Sequence, residues 1–170
     1  MASLGSAHSV NDTEPDWIPR EIELLRDAVR AEVPVLGLCW GGQALSVAMG
    51  GQVGPAAAPE TGWLTVPSTD SALPEGPWLH YHYEAFTVPP RATQLARSPA
   101  GPLAFRAGRN LGLQFHPEAT AAMGEIWAHT DPHQSRADVQ ILASEGARYE
   151  GAARQQAFAL FDAWYAGVNG

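Results

Sequence analysis

Ile22, Leu25 and Val29 recur at helical spacing along Glu21 to Ala31, behind a Pro19 suited to a first helical turn, and predict an amphipathic helix. The apolar run Val33 to Leu38 reads as a buried strand, and Gly41 to Met49 as the helix after it. Helix, buried strand and helix in succession signal an α/β unit with a parallel sheet. Upstream, Met1 to Val10 reads as a strand remnant followed by a Gly5-Ser6 turn, and Asn11 to Trp17 as a polar loop. Beyond Gly50-Gly51 the period shortens. Trp63 to Val66, Trp78 to Tyr83, Phe86 to Val88, Thr93 to Ala96, Leu103 to Arg106 and Leu111 to Phe115 are expected as short strands, with Ala107-Gly108-Arg109-Asn110 as a hairpin connection. Two tail helices are expected, about Asp138 to Glu145 and Arg148 to Tyr165, the second with Ala152, Gln156, Ala159, Leu160 and Trp164 on one side. No repeat, low-complexity tract or linker interrupts the pattern, so residues 1–170 are expected to form a single domain.

Composition narrows the function classes. An apolar content of 45% and a charged content of 16% describe a soluble globular chain. The net charge is −8 and the basic residues, all Arg, form no patch, which argues against a nucleic-acid surface. No apolar run approaches the ~20 residues of a membrane helix, so no membrane partner is expected. A lone cysteine excludes an intrachain disulfide, and the N-terminus lacks a charged and then apolar leader pattern. The cytoplasm is the expected location, where a reactive thiol stays reduced. The absence of Lys beside heavy use of Ala, Gly, Pro and Arg suggests a GC-rich, bacterial coding sequence.

The cysteine is the informative residue. Cys39 lies in Val35-Leu36-Gly37-Leu38-Cys39-Trp40-Gly41-Gly42-Gln43, where a strand passes into a helix. A sharp strand-to-helix turn lifts a nucleophile out of the sheet to a helix N-terminus, whose N–H groups favour a thiolate. Gly37 and Gly41 flank it because β-carbons there would crowd the elbow. The Trp40 N–H would point at an attacked carbonyl, and Gly5-Ser6 would add a second donor to complete an oxyanion hole. Far downstream, Leu111-Gly112-Leu113-Gln114-Phe115-His116-Pro117-Glu118 ends a strand with a histidine and a carboxylate two positions apart. In an extended segment these point the same way, so Glu118 would hold one ring nitrogen of His116 while the other faces the thiol.

Gly37, Cys39, Gly41 and Gln43, with His116-Pro117-Glu118, resemble the signature of the class I (triad) glutamine amidotransferases, in particular the amidotransferase part of GMP synthase. Gly5-Ser6 with Ser9-Val10 resembles the family's oxyanion loop, Pro59-Glu60-Thr61-Gly62-Trp63 the loop after the nucleophile helix, and His82-Tyr83-Glu84-Ala85-Phe86 its His-x-acid-x-Phe segment. The resemblance implies an α/β, flavodoxin-like fold with a mostly parallel central sheet and flanking helices. A strand-helix-strand unit would precede the oxyanion loop; with that loop at residue 5, the fold is expected to be N-terminally incomplete. The implied reaction is glutamine amide hydrolysis through a glutamyl thioester, with Cys39 as nucleophile, His116 as base and acid, and Glu118 as its orienter. Gln43 and the segment Tyr81, His82, Tyr83 and Glu84 would bind L-glutamine. A synthase partner would receive the ammonia, and no cofactor is implied.

Two other functions fit the same residues. A γ-glutamyl amide or peptide hydrolase would use the same triad on a substituted amide, and a non-catalytic regulatory module would keep the fold without turnover. His80 and His82 alternate along a strand, as metal ligands can, but a surface or pocket role is expected and no metal. Glu60 and Glu84 read equally as solvated loop acids or substrate contacts, and Asp131, His133 and Asp138 as a polar loop.

Overall fold

The computed structural model describes residues 1–169. In chain order the elements are β1 (Ala2–Ser3), α1 (Trp17–Arg30), β2 (Leu36–Leu38), α2 (Trp40–Ala48), β3 (Val53–Leu64), β4 (Trp78–Phe86), β5 (Thr93–Ser98), β6 (Gly101–Ala107), β7 (Asn110–Leu113), α3 (Ala121–Thr130) and α4 (Arg136–Asn169). The central sheet has the order β1-β2-β7-β6-β5, and β3 pairs with β4 in a separate two-stranded ribbon. β1, β2 and β7 run parallel, whereas β7, β6 and β5 are joined antiparallel. The expected parallel character therefore holds in the half of the sheet that carries the cysteine. The other half reverses because the Ala107-to-Asn110 connection is a hairpin, as its sequence predicts, with Gly108 at φ +59°.

Helices cover the sheet from both sides. Ile18, Ile22, Leu25 and Ala28 of α1 are buried in one core with Trp40, Leu45, Phe86 and Phe105. The second core joins Leu38, Trp78, Leu113 and Phe115 to Leu142 and Leu160 of α4. Full burial of such side chains stabilises by roughly 1.5–3 kcal/mol each relative to exposure.

Several elements depart from the expected bounds. β2 shrinks to three residues because Pro34 cannot donate to a ladder and the Val35 N–H is taken by Asn110 Oδ1 at 2.9 Å. β3 begins ten residues earlier than expected, at Val53, in a stretch of Gly, Ala and Pro with a register shift between Pro55 and Glu60. β4 carries the expected Trp78-to-Tyr83 strand on to Phe86, and the expected Phe86-to-Val88 strand does not form beyond that residue. α3 was not expected; Thr120 caps it by accepting the Met123 N–H at 3.2 Å. The two tail helices form one, α4, which runs unbroken through Gly146. A β-carbon on Gly146 would lie 2.6 Å from Ala121 Cβ, so the residue that looks like a break is where α3 meets α4 closely.

Candidate active site

Parallel pairing of β2 with β7 brings two distant strand ends together, with Leu38 opposite Leu113. The chain then turns sharply at Cys39, whose backbone takes φ +51°, and α2 starts at Trp40. A β-carbon at Gly37 would strike the Gly41 carbonyl, and one at Gly41 would strike the Ser3 carbonyl of β1. Glycine at both positions is what lets strand, elbow and helix pack this closely. Trp40 is the first residue of α2, so its N–H has no acceptor within the helix. Its side chain is 2% exposed in the core, where its ring packs on Trp17.

His116 follows β7, held by its N–H donating to the Leu79 carbonyl of β4 at 2.8 Å. Its Nδ1 lies 2.8 Å from Glu118 Oε1, and its ring and Cys39 both border Gly5, close enough for the sulfur to act electrostatically on the imidazole. Burial works against a charge on this imidazole, but the Cys39 sulfur and the Glu118 carboxylate outweigh it and raise the pKa to about 10. Trp127 of α3 packs on the His116 ring at 4.7 Å between centroids. Cys39, His116 and Glu118 thus lie near one another at the ends of β2 and β7. Gly5 lies beside it: a β-carbon there would be 2.9 Å from His116 Cε1 and 3.8 Å from Cys39 Cβ. Ser6 follows in the same loop, its hydroxyl accepting the His8 N–H at 3.1 Å.

The expected glutamine-binding residues are placed differently from one another. Gln43 is 4% exposed, and its Nε2 donates to the Glu84 carbonyl at 3.2 Å and to Gln114 Oε1 at 3.3 Å. Only its Oε1 remains uncommitted among the described residues. The β4 segment approaches the thiol through its backbone: the Tyr81 carbonyl lies 3.9 Å from Cys39 Sγ. The side chains of this segment have protein partners. The Tyr81 and Tyr83 hydroxyls donate to Asp131 Oδ2 at 2.8 and 2.6 Å, and Glu84 Oε1 accepts the Ser9 hydroxyl at 2.9 Å. Burial and the bond to Asp131 push the Tyr83 hydroxyl pKa up and, together with the tyrosine bonds, the Asp131 carboxyl stays below its usual range despite desolvation.

His82 is buried, with Nδ1 3.0 Å from the Glu84 carbonyl and Nε2 3.1 Å from Glu60 Oε2. His80 is fully buried, against the expected surface or pocket position, with Nδ1 3.1 Å from the same oxygen. Glu60 is therefore no solvated loop acid; it sits on β3 directly opposite His82. Burial opposes its charge, but bonds from His80, His82 and Ser98 hold its carboxyl well below the ordinary value. These three ligand atoms lie within 4.8 Å of one another, a group able to hold a metal ion, although the hydrogen bonds already satisfy the carboxylate oxygen.

Asp131, Trp127 and Gln114 are site residues the sequence reading missed. Asp131 was expected in a polar loop and does lie just past α3, but two tyrosines converge on it. Gln114 immediately precedes Phe115-His116, and its position beside the motif was the one available signal.

The class I glutamine amidotransferase family model matches residues 9–126. GMP synthase (glutamine-hydrolysing) of Aeropyrum pernix is 38% identical over 112 residues, covering 60% of this chain and 22% of that protein. A GMP synthase (glutamine-hydrolysing) subunit from Ignicoccus hospitalis is 32% identical over 117 residues, covering 61% of this chain and 62% of that protein. The matched stretch is thus about a fifth of the first full-length relatives. A glutamine amidotransferase crystal structure from Methylobacillus flagellatus superposes with a TM-score of 0.80 at 30% identity, over 98% of this chain and 75% of that one. One from Thermotoga maritima gives 0.84 at 24% identity over 99% and 78%, a likeness of fold.

Proposed function

The chain belongs to the class I glutamine amidotransferase family, and from that premise we propose that it hydrolyses the side-chain amide of L-glutamine through Cys39, His116 and Glu118 and passes the ammonia to a synthase partner. The observation that supports this reading is the imidazole bonded to the Glu118 carboxylate on the side of β7 where Cys39 also emerges.

In this mechanism His116 takes the Cys39 proton and the sulfur attacks the amide carbon of glutamine. The tetrahedral oxyanion is held by the N–H of Trp40 and one from the Gly5-Ser6 loop. His116 returns the proton to the departing nitrogen, ammonia leaves, and a glutamyl thioester remains. Water, deprotonated by His116, attacks the thioester carbonyl, and glutamate and the thiol are released. Glu118 keeps the imidazole in one orientation and favours its charged form. Gln43 Oε1 and the β4 backbone at Tyr81 to Glu84 are the groups left to receive the amino-acid end of glutamine. The reading takes residues 1–170 as one domain and the cytoplasm as its location.

Glutamate release from glutamine tests it. Cys39→Ala is expected to fall below about one-thousandth of the wild-type rate, since a triad without its nucleophile retains only binding and oxyanion contributions. Equal release by both proteins would remove Cys39 from the reaction. Cleavage of γ-glutamyl amines with glutamine untouched would replace the substrate.

A further inference from the structure

Two glutamines are buried at the nucleophile, Gln43 at 4% exposure and Gln114 at 0%, in surroundings where Met or Leu would bury at less cost. Their hydrogen bonds fix the direction of both amides. The Glu84 carbonyl can only accept, so the atom of Gln43 that faces it at 3.2 Å is the NH2 group. The second hydrogen of that group points to Gln114 at 3.3 Å, so the Gln114 atom there is its oxygen. The Gln114 NH2 is thereby turned toward Cys39 Sγ, at 3.8 Å. His82 Nδ1, 3.0 Å from the same Glu84 carbonyl, helps hold the carbonyl that sets this order.

We propose that Gln114 is a catalytic residue: its amide, oriented by Gln43 and the Glu84 carbonyl, donates a hydrogen bond that stabilises the ionised Cys39 sulfur. The inference rests on Cys39 being the nucleophile of the proposed reaction. A neutral thiol at this place accepts from Gln114 while its own hydrogen goes to the Tyr81 carbonyl or to His116. Once that proton has moved to His116, the Tyr81 carbonyl at 3.9 Å opposes the negative sulfur and Gln114 favours it. A bond to a charged acceptor is worth more than one to a neutral acceptor, so Gln114 acts chiefly on the attacking form. The titratable groups facing the sulfur are His116 and, behind it, Glu118; Glu60 and His82 stand at the far end of the amide chain.

The test is the rate of Cys39 alkylation by iodoacetamide at pH 7 and pH 10 in the full chain, for wild type, Gln114→Met and Gln43→Met. Gln114→Met is expected to react about ten-fold more slowly at pH 7 and equally at pH 10, above the ordinary thiol range of about 8.5. Gln43→Met, which leaves Gln114 free to turn its oxygen to the sulfur, should lose about three-fold at pH 7. Should Gln114→Met fail to fold by circular dichroism, the Gln43→Met profile decides on the same criterion. Wild-type rates at pH 7, or an equal slowing at both pH values, would overturn the proposal, the latter by assigning Gln114 to packing. Glutamate release measured in parallel separates the two readings. Normal release with no alkylation difference defeats only the role of Gln114, and a pH 7 loss in a protein that ignores glutamine defeats only the hydrolysis.

Discussion

The two halves of the site are built by different physics. Around Cys39 the β1-β2-β7 end of the sheet is held by backbone against backbone: glycines at 37 and 41 face carbonyls with no room for a β-carbon. Across from it, the β3-β4 ribbon and the α3-α4 connection are held by polar side chains, with two histidines on Glu60 and two tyrosines on Asp131. Steric contacts of the first kind admit one arrangement and fail when altered. Hydrogen bonds of the second kind weaken by degrees and with pH, so the wall across from Cys39 is the adjustable one.

The largest expected effect attacks the steric half. Gly41→Ala drives a methyl into the Ser3 carbonyl and should cost about 3 kcal/mol, with loss of glutamate release, read by denaturant unfolding and the activity assay. Glu60→Gln attacks the polar half and should cost about 2 kcal/mol at pH 7. Because folding lowers the Glu60 pKa, its contribution is complete above the ordinary value of 4.5 and is lost as pH falls toward the folded value. The gap between wild type and variant in chemical unfolding should therefore narrow below pH 4.5; a constant gap would mean that Glu60 contributes by packing. Tyr83→Phe removes one of the two tyrosine donors on Asp131 Oδ2 and should cost about 1 kcal/mol, measured as a lower unfolding midpoint. Arg20→Ala, which breaks an exposed pair with Asp16, should change stability by less than about 0.5 kcal/mol and marks the floor of the comparison.

The steric half was legible in the sequence and the polar half was not. A glycine frame around Cys39 has few other uses, and the order apolar strand, cysteine, helix fixes where the thiol emerges. His116 and Glu118 were legible from their spacing on an extended segment. Alternation along β4 tells which residues share a face, but not what covers that face. His80 and His82 do share one, and the Glu60 that meets them comes from a stretch of Gly, Ala and Pro that carries no strand signal. Asp131 gained its role only when α3 formed, and α3 lacks the contrast between apolar and polar faces that marks a helix in sequence; Gly124 and Ala128 are its buried residues. Gln114 was passed over because a glutamine at the end of a strand signals nothing until its partners are known.

The left-handed backbone at Cys39, with φ +51°, favours a residue with no side chain. A β-carbon in that conformation, with ψ −109°, costs about 1–3 kcal/mol. Cys39→Gly should therefore melt at a higher temperature than the wild type while releasing no glutamate. With Cys39 as the proposed nucleophile, durability and reactivity have opposite optima at this one residue, and the strain is the cost of keeping a thiol at the elbow.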